Sequence, residues 1–171
     1  MAIENPSHEL IKDYLDFEIR KYDSTIVATT AVKDNYNQAT STGFRRIAKY
    51  IFGGNSEGMS IAMTAPVITS APNEKGIYEI SFFMPSEYSM HQLPNPDLEN
   101  IILKTIKLGT VAVLKFGGWA TEIRASKFKK KLGELIENNG YKMEGEYLVA
   151  QYNSPWALPP FRKNEILVKI K

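Results

Sequence analysis

The stretch that decides the fold is FEIRKYDSTIVATTAV, residues 17–32. Its first six residues alternate apolar and polar side chains, and residues 25–32 are rich in β-branched side chains, as is typical of β-strands. Asp23 and Ser24 between them favour a short turn. The sequence therefore predicts a β-hairpin over 17–32.

A helix is predicted directly after this pair of strands. Apolar residues recur at helical spacing from Asn35 to Phe52, and Gly53-Gly54 supplies the residues that commonly end a helix. An extended stretch at 60–70 and a strand at 77–84 complete the first half. Because proline cannot donate to a sheet ladder, Pro66 is expected to mark a sheet edge or a bulge.

The same order of elements recurs in the second half. IILKTIKLGTVAVLKF, residues 101–116, repeats the two strands, and a helix at about 121–138 follows, then strands at 146–152 and 165–170. The sequence thus predicts one domain over 1–171 with pseudo-repeats of about 15–84 and 101–171. Each repeat is a strand-strand-helix-strand-strand unit. Neither repeat can bury its strand faces alone, so an α+β fold is expected, with one sheet or open barrel and both helices outside.

The composition excludes several classes of function. A chain of 171 residues with 43% hydrophobic content is long enough for one core. The absence of cysteine excludes disulfides, c-type haem attachment and cysteine zinc sites. A formal net charge of +2 gives no field that favours nucleic acid or acidic lipid. No signal-peptide pattern and no long apolar run occurs, so a soluble, cytoplasmic protein is expected.

Five short strings carry a resemblance to a known family. They are FEIRKY (17–22), MTAPV (63–67), FGG (116–118), YNSP (152–155) and NEI (164–166). In this order and at about these separations they resemble the SOUL family of haem-binding proteins, from roughly Tyr14 onward. The resemblance implies a distorted eight-stranded antiparallel barrel flanked by two helices, and noncovalent binding of haem or another tetrapyrrole or flat apolar ligand. It also implies a looser kinship with bacterial effector-binding domains of the gyrase-inhibitor type.

The resemblance places the ligand surface between the first helix, 36–52, and the loop at 153–164. A macrocycle needs a wide apolar surface for its faces and cations for its propionates. The chain departs from the family at Ser41, where a basic residue is expected, and at Ala157-Leu158, where a lysine is expected. The implied ligand-binding residues are Ser41, Arg45, Arg46, Lys49, Met59, Met63, Trp156, Leu158, Phe161, Arg162 and Lys163.

Axial ligands for haem iron are scarce in the sequence. His8 lies in a polar N-terminal segment and His91 in a proline-bearing connection, so both are interpreted as solvated loop residues and no metal site is predicted. Met59 and Met63 could ligate iron, but packing into irregular apolar space is favoured. The aromatic residues of the loop at 153–164 either floor a binding site or cap the core, and the sequence leaves both interpretations open.

Glu165 carries an alternative hypothesis of a different class. It begins a strand beside the aromatic loop, and the gyrase-inhibitor kinship implies an effector-sensing or small-molecule hydrolase groove centred on such an acid. A general acid or base would need a partner within reach and a tuned pKa. An ion pair with Arg20 that fixes the strand end is the favoured role. No nucleophile, phosphate-loop or dinucleotide motif occurs, so an enzyme is not expected.

The expected partner is a small molecule bound by a monomer. The basic run at 127–131 is interpreted as a solvated helix face, because no aromatic residues are spaced among its lysines in a nucleic-acid-binding pattern and glutamates follow at helical spacing. Neither nucleic acid nor a membrane is therefore expected as a partner. A purely interactive role for the aromatic loop is a third interpretation left open.

Overall fold

The computed structural model describes residues 3–153 and 157–171, which form nine strands and two α-helices. The α+β class, with antiparallel strands and two helices, is confirmed. Trp156 lies outside the described residues. The elements are β1 (His8–Tyr14), β2 (Phe17–Tyr22), β3 (Thr25–Lys33), α1 (Tyr36–Ile51), β4 (Val67–Ser70), β5 (Ile77–Phe83), β6 (Ile101–Ile106), β7 (Gly109–Gly117), α2 (Glu122–Asn138), β8 (Leu148–Gln151) and β9 (Lys163–Lys169).

The chain forms two compact units, and neither is a continuous segment. Unit 1 comprises Met1–Pro6 and Thr25–Ile106, and unit 2 comprises Ser7–Ser24 and Lys107–Lys171. The first strand of each sequence repeat lies in the unit of the other repeat: β2 pairs with β7, and β6 pairs with β3. The repeats of the sequence are therefore not the units of the structure.

The predicted hairpin over 17–32 is wrong. β2 pairs with β1 and β7, whereas β3 pairs with β5 and β6. Two-residue hairpin loops require a residue with positive φ, and among the described residues only glycines have it. Asp23-Ser24 contains no glycine, so it carries the chain out of unit 2 and into unit 1 instead of reversing it.

Unit 1 is a four-stranded antiparallel sheet with α1 packed against β3 and β5. Asn35 caps the helix, since its side chain accepts a hydrogen bond from the Gln38 N–H. Gly43 lets the helix approach the sheet closely, because a Cβ at this position would lie 2.7 Å from the Ile80 side chain. Pro66 precedes β4 and does not interrupt it.

Unit 2 is a five-stranded antiparallel sheet in the order β1-β2-β7-β9-β8, with α2 packed against β7 and β9. Thr121 caps α2 through the Arg124 N–H. The sheet buries apolar residues on both faces. One cluster, which includes Leu132 and Ile136, lies under α2, and a smaller one around Val113 and Leu167 lies on the opposite face. That opposite face also carries the polar residues described below.

β1 is a strand that the sequence did not predict. It places His8 at a strand end, where the ring lies 5.0 Å from the Tyr22 ring, so the interpretation of His8 as a loop residue is wrong. No helix within the described ranges is long and apolar enough to cross a membrane.

Candidate functional site

A buried ionic cluster lies on the face of the unit 2 sheet opposite α2. Arg20 on β2 and Glu165 on β9 are only 5% and 4% exposed, and Arg20 Nη1 lies 2.7 Å from Glu165 Oε2. The predicted ion pair between Arg20 and Glu165 is therefore present. The contact is ionic without a well-aligned hydrogen bond, since Glu165 Oε2 has no partner of hydrogen-bond geometry among the described residues.

Arg20 also organises the neighbouring side chains. Its Nε donates to Glu18 Oε2 at 2.8 Å, and its Nη1 donates to the Tyr22 hydroxyl at 2.9 Å. Lys115 Nζ donates to the other oxygen of Glu18, also at 2.8 Å. Two cations thus face two carboxylates, so the cluster is balanced in charge.

The pKa values of this cluster follow from burial and from these contacts. Burial alone would raise the pKa of Glu18, but the hydrogen bonds from Lys115 and Arg20 outweigh it and leave the pKa below its usual range. Burial and the negative charge of Glu165 together raise the pKa of Tyr152 well above its usual range, so its hydroxyl stays protonated. Glu165 thus forms an ion pair with Arg20, next to the protonated hydroxyl of Tyr152.

An exposed apolar group lies around the turn at Pro159–Phe161 in unit 2. We call Trp119, Leu158 and Phe161 the aromatic patch; Leu158 and Phe161 are mostly exposed, and Trp119 is 47% exposed. The Arg162 guanidinium lies 4.7 Å from the Trp119 ring centroid, in cation–π contact. Arg162 thereby connects the loop that carries Leu158 and Phe161 to Trp119, which lies three residues before α2 begins at Glu122.

Arg162 stabilises the conformation of this loop. It is buried, its Nη1 donates to the Ala157 carbonyl at 3.1 Å, and its Nη2 donates to Gln151 Oε1 at 3.3 Å. Burial lowers its pKa from the usual value. Lys163, the next residue, has an exposed side chain. Of these two predicted propionate partners, Lys163 is the one that faces solvent.

The predicted ligand-binding residues of α1 likewise divide into side chains that face solvent and one that faces the protein. Ser41, Arg45 and Lys49 are exposed at helical spacing on one face, and Arg45 Nη1 donates to Ser41 Oγ at 3.2 Å. Arg46 turns toward the sheet, where its Nη1 donates to Thr30 Oγ1 at 3.2 Å and to the Ala31 carbonyl at 3.1 Å. Arg46 therefore fastens α1 to β3.

Three of the candidate iron ligands, Met59, Met63 and His91, lie in unit 1. Met59 and Met63 pack against the core of unit 1, which agrees with the packing role favoured from the sequence. His91 is exposed, and its ring contacts Ser89 Oγ at 3.2 Å. Within residues 3–153 and 157–171, no group of three or more His, Cys, Asp or Glu side chains is placed to hold a metal ion.

Comparison with known proteins decides the family. The sequence model of the family described as SOUL heme-binding protein matches residues 3–169. The chain belongs to the SOUL haem-binding family. Human Heme-binding protein 2 is 30% identical over 176 residues, which cover 96% of this chain and 85% of that protein.

The SOUL fold is shared with solved structures of low sequence identity. A structure described as a hydrolase from Listeria innocua superimposes with a TM-score of 0.65 at 10% identity, covering 94% of both chains. The C-terminal domain of EcmrR superimposes with a TM-score of 0.70 at 14% identity, covering 91% of this chain and 96% of that one. At such identities the likeness shows the fold alone.

The chemistry of the described SOUL residues fits a tetrapyrrole. The aromatic patch offers exposed apolar surface, and Lys163, two residues after Phe161 in the sequence, offers an exposed cation, as the faces and the propionates of a macrocycle require. Trp119 belongs to the patch but was not among the site residues predicted from the sequence. The signal was available, because Trp119 directly follows the FGG string that carried part of the resemblance to the SOUL family.

Proposed function

We propose that this SOUL-family chain binds haem or a related tetrapyrrole noncovalently and that its role is binding, not catalysis. The observation that carries the proposal is the aromatic patch, a set of exposed apolar side chains in a chain that belongs to the SOUL family. Exposed apolar clusters rimmed by polar residues usually mark sites of interaction. When bound, haem supplies an iron centre whose reactivity depends on its axial ligands.

The side chains of the patch have separate roles in this proposal. Trp119, Leu158 and Phe161 cover a macrocycle face, together with Trp156 as the sequence predicts. Lys163 pairs with a propionate, because it is an exposed cation two residues after Phe161 in the sequence. Arg162 acts as a positioning residue, since its bonds to Ala157 and Gln151 hold the loop in shape.

The cations of α1 form a second proposed contribution. Arg45 and Lys49 are exposed and lie one helical turn apart, so each could pair with a carboxylate of the ligand. They belong to unit 1, whereas the aromatic patch belongs to unit 2, and their contribution is tested independently of the patch.

A titration with hemin, followed by the Soret band and tryptophan quenching, tests the proposal. Wild type is expected to saturate at one ligand per chain, and Phe161→Ser is expected to weaken binding at least several-fold. Met143→Ser is the matched control, because Met143 is also an exposed apolar residue of unit 2 and lies outside the patch. A linear, non-saturating response of the wild type would refute tetrapyrrole binding.

A porphyrin dimethyl ester separates the cations from the apolar surface. Lys163→Glu is expected to weaken hemin binding but to leave binding of the uncharged ester unchanged, because only hemin carries propionates. Lys49→Glu makes the same comparison for α1. Equal losses for both ligands would show that these side chains do not pair with propionates.

A second candidate function centres on Glu165, as an effector-sensing or small-molecule hydrolase groove. Its supporting observation is a buried carboxylate bordered by the hydroxyls of Tyr22 and Tyr152. Arg20 already compensates that carboxylate at 2.7 Å, which places this candidate second. Turnover of a generic ester that Glu165→Gln abolishes would favour it, whereas an inert wild type would remove the hydrolase version.

A further inference from the structure

β1 leaves one edge of the unit 2 sheet without a paired strand. Among the described strands, β1 pairs with β2 alone, and all six residues from His8 to Asp13 are exposed. The exposed residues include Leu10 and Ile11, at 51% and 50%. An edge strand presents a row of unpaired N–H and C=O groups, which can pair with a further strand.

The charged residues along this edge complement those of a second, antiparallel copy of the same strand. The order is His8, Glu9, Leu10, Ile11, Lys12, Asp13. If a second copy pairs antiparallel about the midpoint between Leu10 and Ile11, Glu9 lies opposite Lys12 and His8 lies opposite Asp13. Opposite charges across strands stabilise a sheet, and like charges directly opposite destabilise it.

A bulge in β1 brings these pairs onto matching faces. Ile11 has no partner in the register with β2, so the register shifts between Leu10 and Lys12. As a result Glu9 and Lys12, which lie opposite Lys21 and Ile19, share one face of the sheet. In a regular strand, two residues three positions apart would point to opposite faces.

The pair formed by His8 and Asp13 shares the opposite face. His8 and Asp13 lie opposite Tyr22 and Glu18, which are on one face of β2. The ring contact between His8 and Tyr22 fixes the His8 side chain there. A two-fold axis perpendicular to the sheet keeps every residue on its own face, so each complementary pair meets on the same side of a joined sheet.

From this pattern we propose that the β1 edge is an interface between two copies of this chain, paired antiparallel about Leu10 and Ile11. The partner is a second copy because the charges complement those of the same strand read backwards. A single strand pair buries less than the about 1,200 Å² of a standard interface. The dimer is therefore weak and dependent on concentration, in contrast to the monomer expected from the sequence.

Charge reversal gives a test that a general folding defect cannot imitate. In Glu9→Lys, both strands carry cations at the two facing positions, and in Lys12→Glu both carry anions. Each variant alone is expected to self-associate about tenfold or more weakly than wild type, measured by sedimentation of the full chain over a concentration series. An equimolar mixture of the two variants is expected to associate again, because cations then face anions.

Matched controls reverse charges on α2. Lys130→Glu and Glu134→Lys change the net charge by the same amounts at exposed positions four residues apart, and they are expected to leave self-association unchanged. Circular dichroism of all four variants serves as the control for folding.

Three outcomes would overturn the proposal. A wild type that stays monomeric up to about millimolar concentration has no such interface. A dimer that all four variants retain uses another surface. Failure of the mixed variants to associate, while each alone is weakened, would show that the charges act through the fold of β1 and not across a two-fold pair.

Discussion

Replacing Arg20 by methionine tests the buried ionic cluster of unit 2. The change keeps an extended side chain and removes the cation that lies 2.7 Å from Glu165 and donates to Glu18. Glu165 is only 4% exposed, so its charge would lose its compensation without gaining water. Removing one partner of a buried ion pair typically costs about 3–5 kcal/mol, and we expect a loss in that range in the free energy of unfolding.

Lys104→Met is the matched control. Lys104 Nζ lies 2.6 Å from Glu79 Oε1, as close as the buried pair, but the two side chains are 41% and 46% exposed. Pairs of this kind contribute about 0–1 kcal/mol because water and salt screen them. The contrast between the two variants therefore measures burial and not distance.

Urea unfolding at neutral pH, followed by circular dichroism, measures both variants. The double variant Arg20→Met/Glu165→Met is expected to recover most of the loss of Arg20→Met, since apolar side chains can replace a buried ion pair once neither charge is left alone. If Arg20→Met costs no more than Lys104→Met, the reasoning from burial fails. If the double variant is less stable than Arg20→Met, the remaining carboxylate was not the source of the loss.

Three further predictions concern single groups. Because the pKa of Glu18 is lowered, its contribution to stability is present above its usual value near 4.5 and lost as the pH falls; Lys115→Met should flatten that loss in urea titrations between pH 6 and 3. Gly43→Ala should destabilise the protein by about 1–3 kcal/mol through overpacking, whereas Gly133→Ala in α2, where only a tyrosine hydroxyl must move, should cost less or stabilise; thermal melts compare them. Burial raises the pKa of Tyr50 to about 12, so stability should fall as the pH rises above about 10, and Tyr50→Phe should reduce that fall; unfolding followed by absorbance at 295 nm checks it.

Local signals in the sequence predicted the helices closely. Asn35 and Thr121 hydrogen-bond the backbone three residues ahead, so the helix starts depend on neighbours in sequence. Strand pairing depends on distant partners, and a two-residue link with no glycine was a sign against the hairpin that the strand pattern favoured. β1 was missed because its bulge breaks the alternation on which strand prediction relies.

The candidate site was predictable only in part from the sequence, because some of its contacts depend on tertiary structure. The pair of Glu165 with Arg20 followed from opposite charges on predicted strands. The direction of Arg46 and Arg162 did not, because their acceptors are backbone carbonyls and polar side chains positioned by tertiary structure. A cation in the sequence therefore predicts a charge near the site but does not say whether it faces a ligand or the protein itself.

Most of unit 1 lies in the sequence between the two segments of unit 2, and this arrangement affects the order in which strands can pair during translation. β1 and β2 are synthesised first, but β7 begins only at Gly109, after all four strands of unit 1 have been made. At typical elongation rates of about 5–20 residues per second, β2 waits roughly 4–17 s for this partner. β3, β4 and β5 of unit 1 are made during that interval and can begin to pair with one another, while the nascent β1–β2 hairpin exposes Phe17 and Ile19, which are buried in the finished protein. These residues are the segment that we expect chaperones to engage during translation.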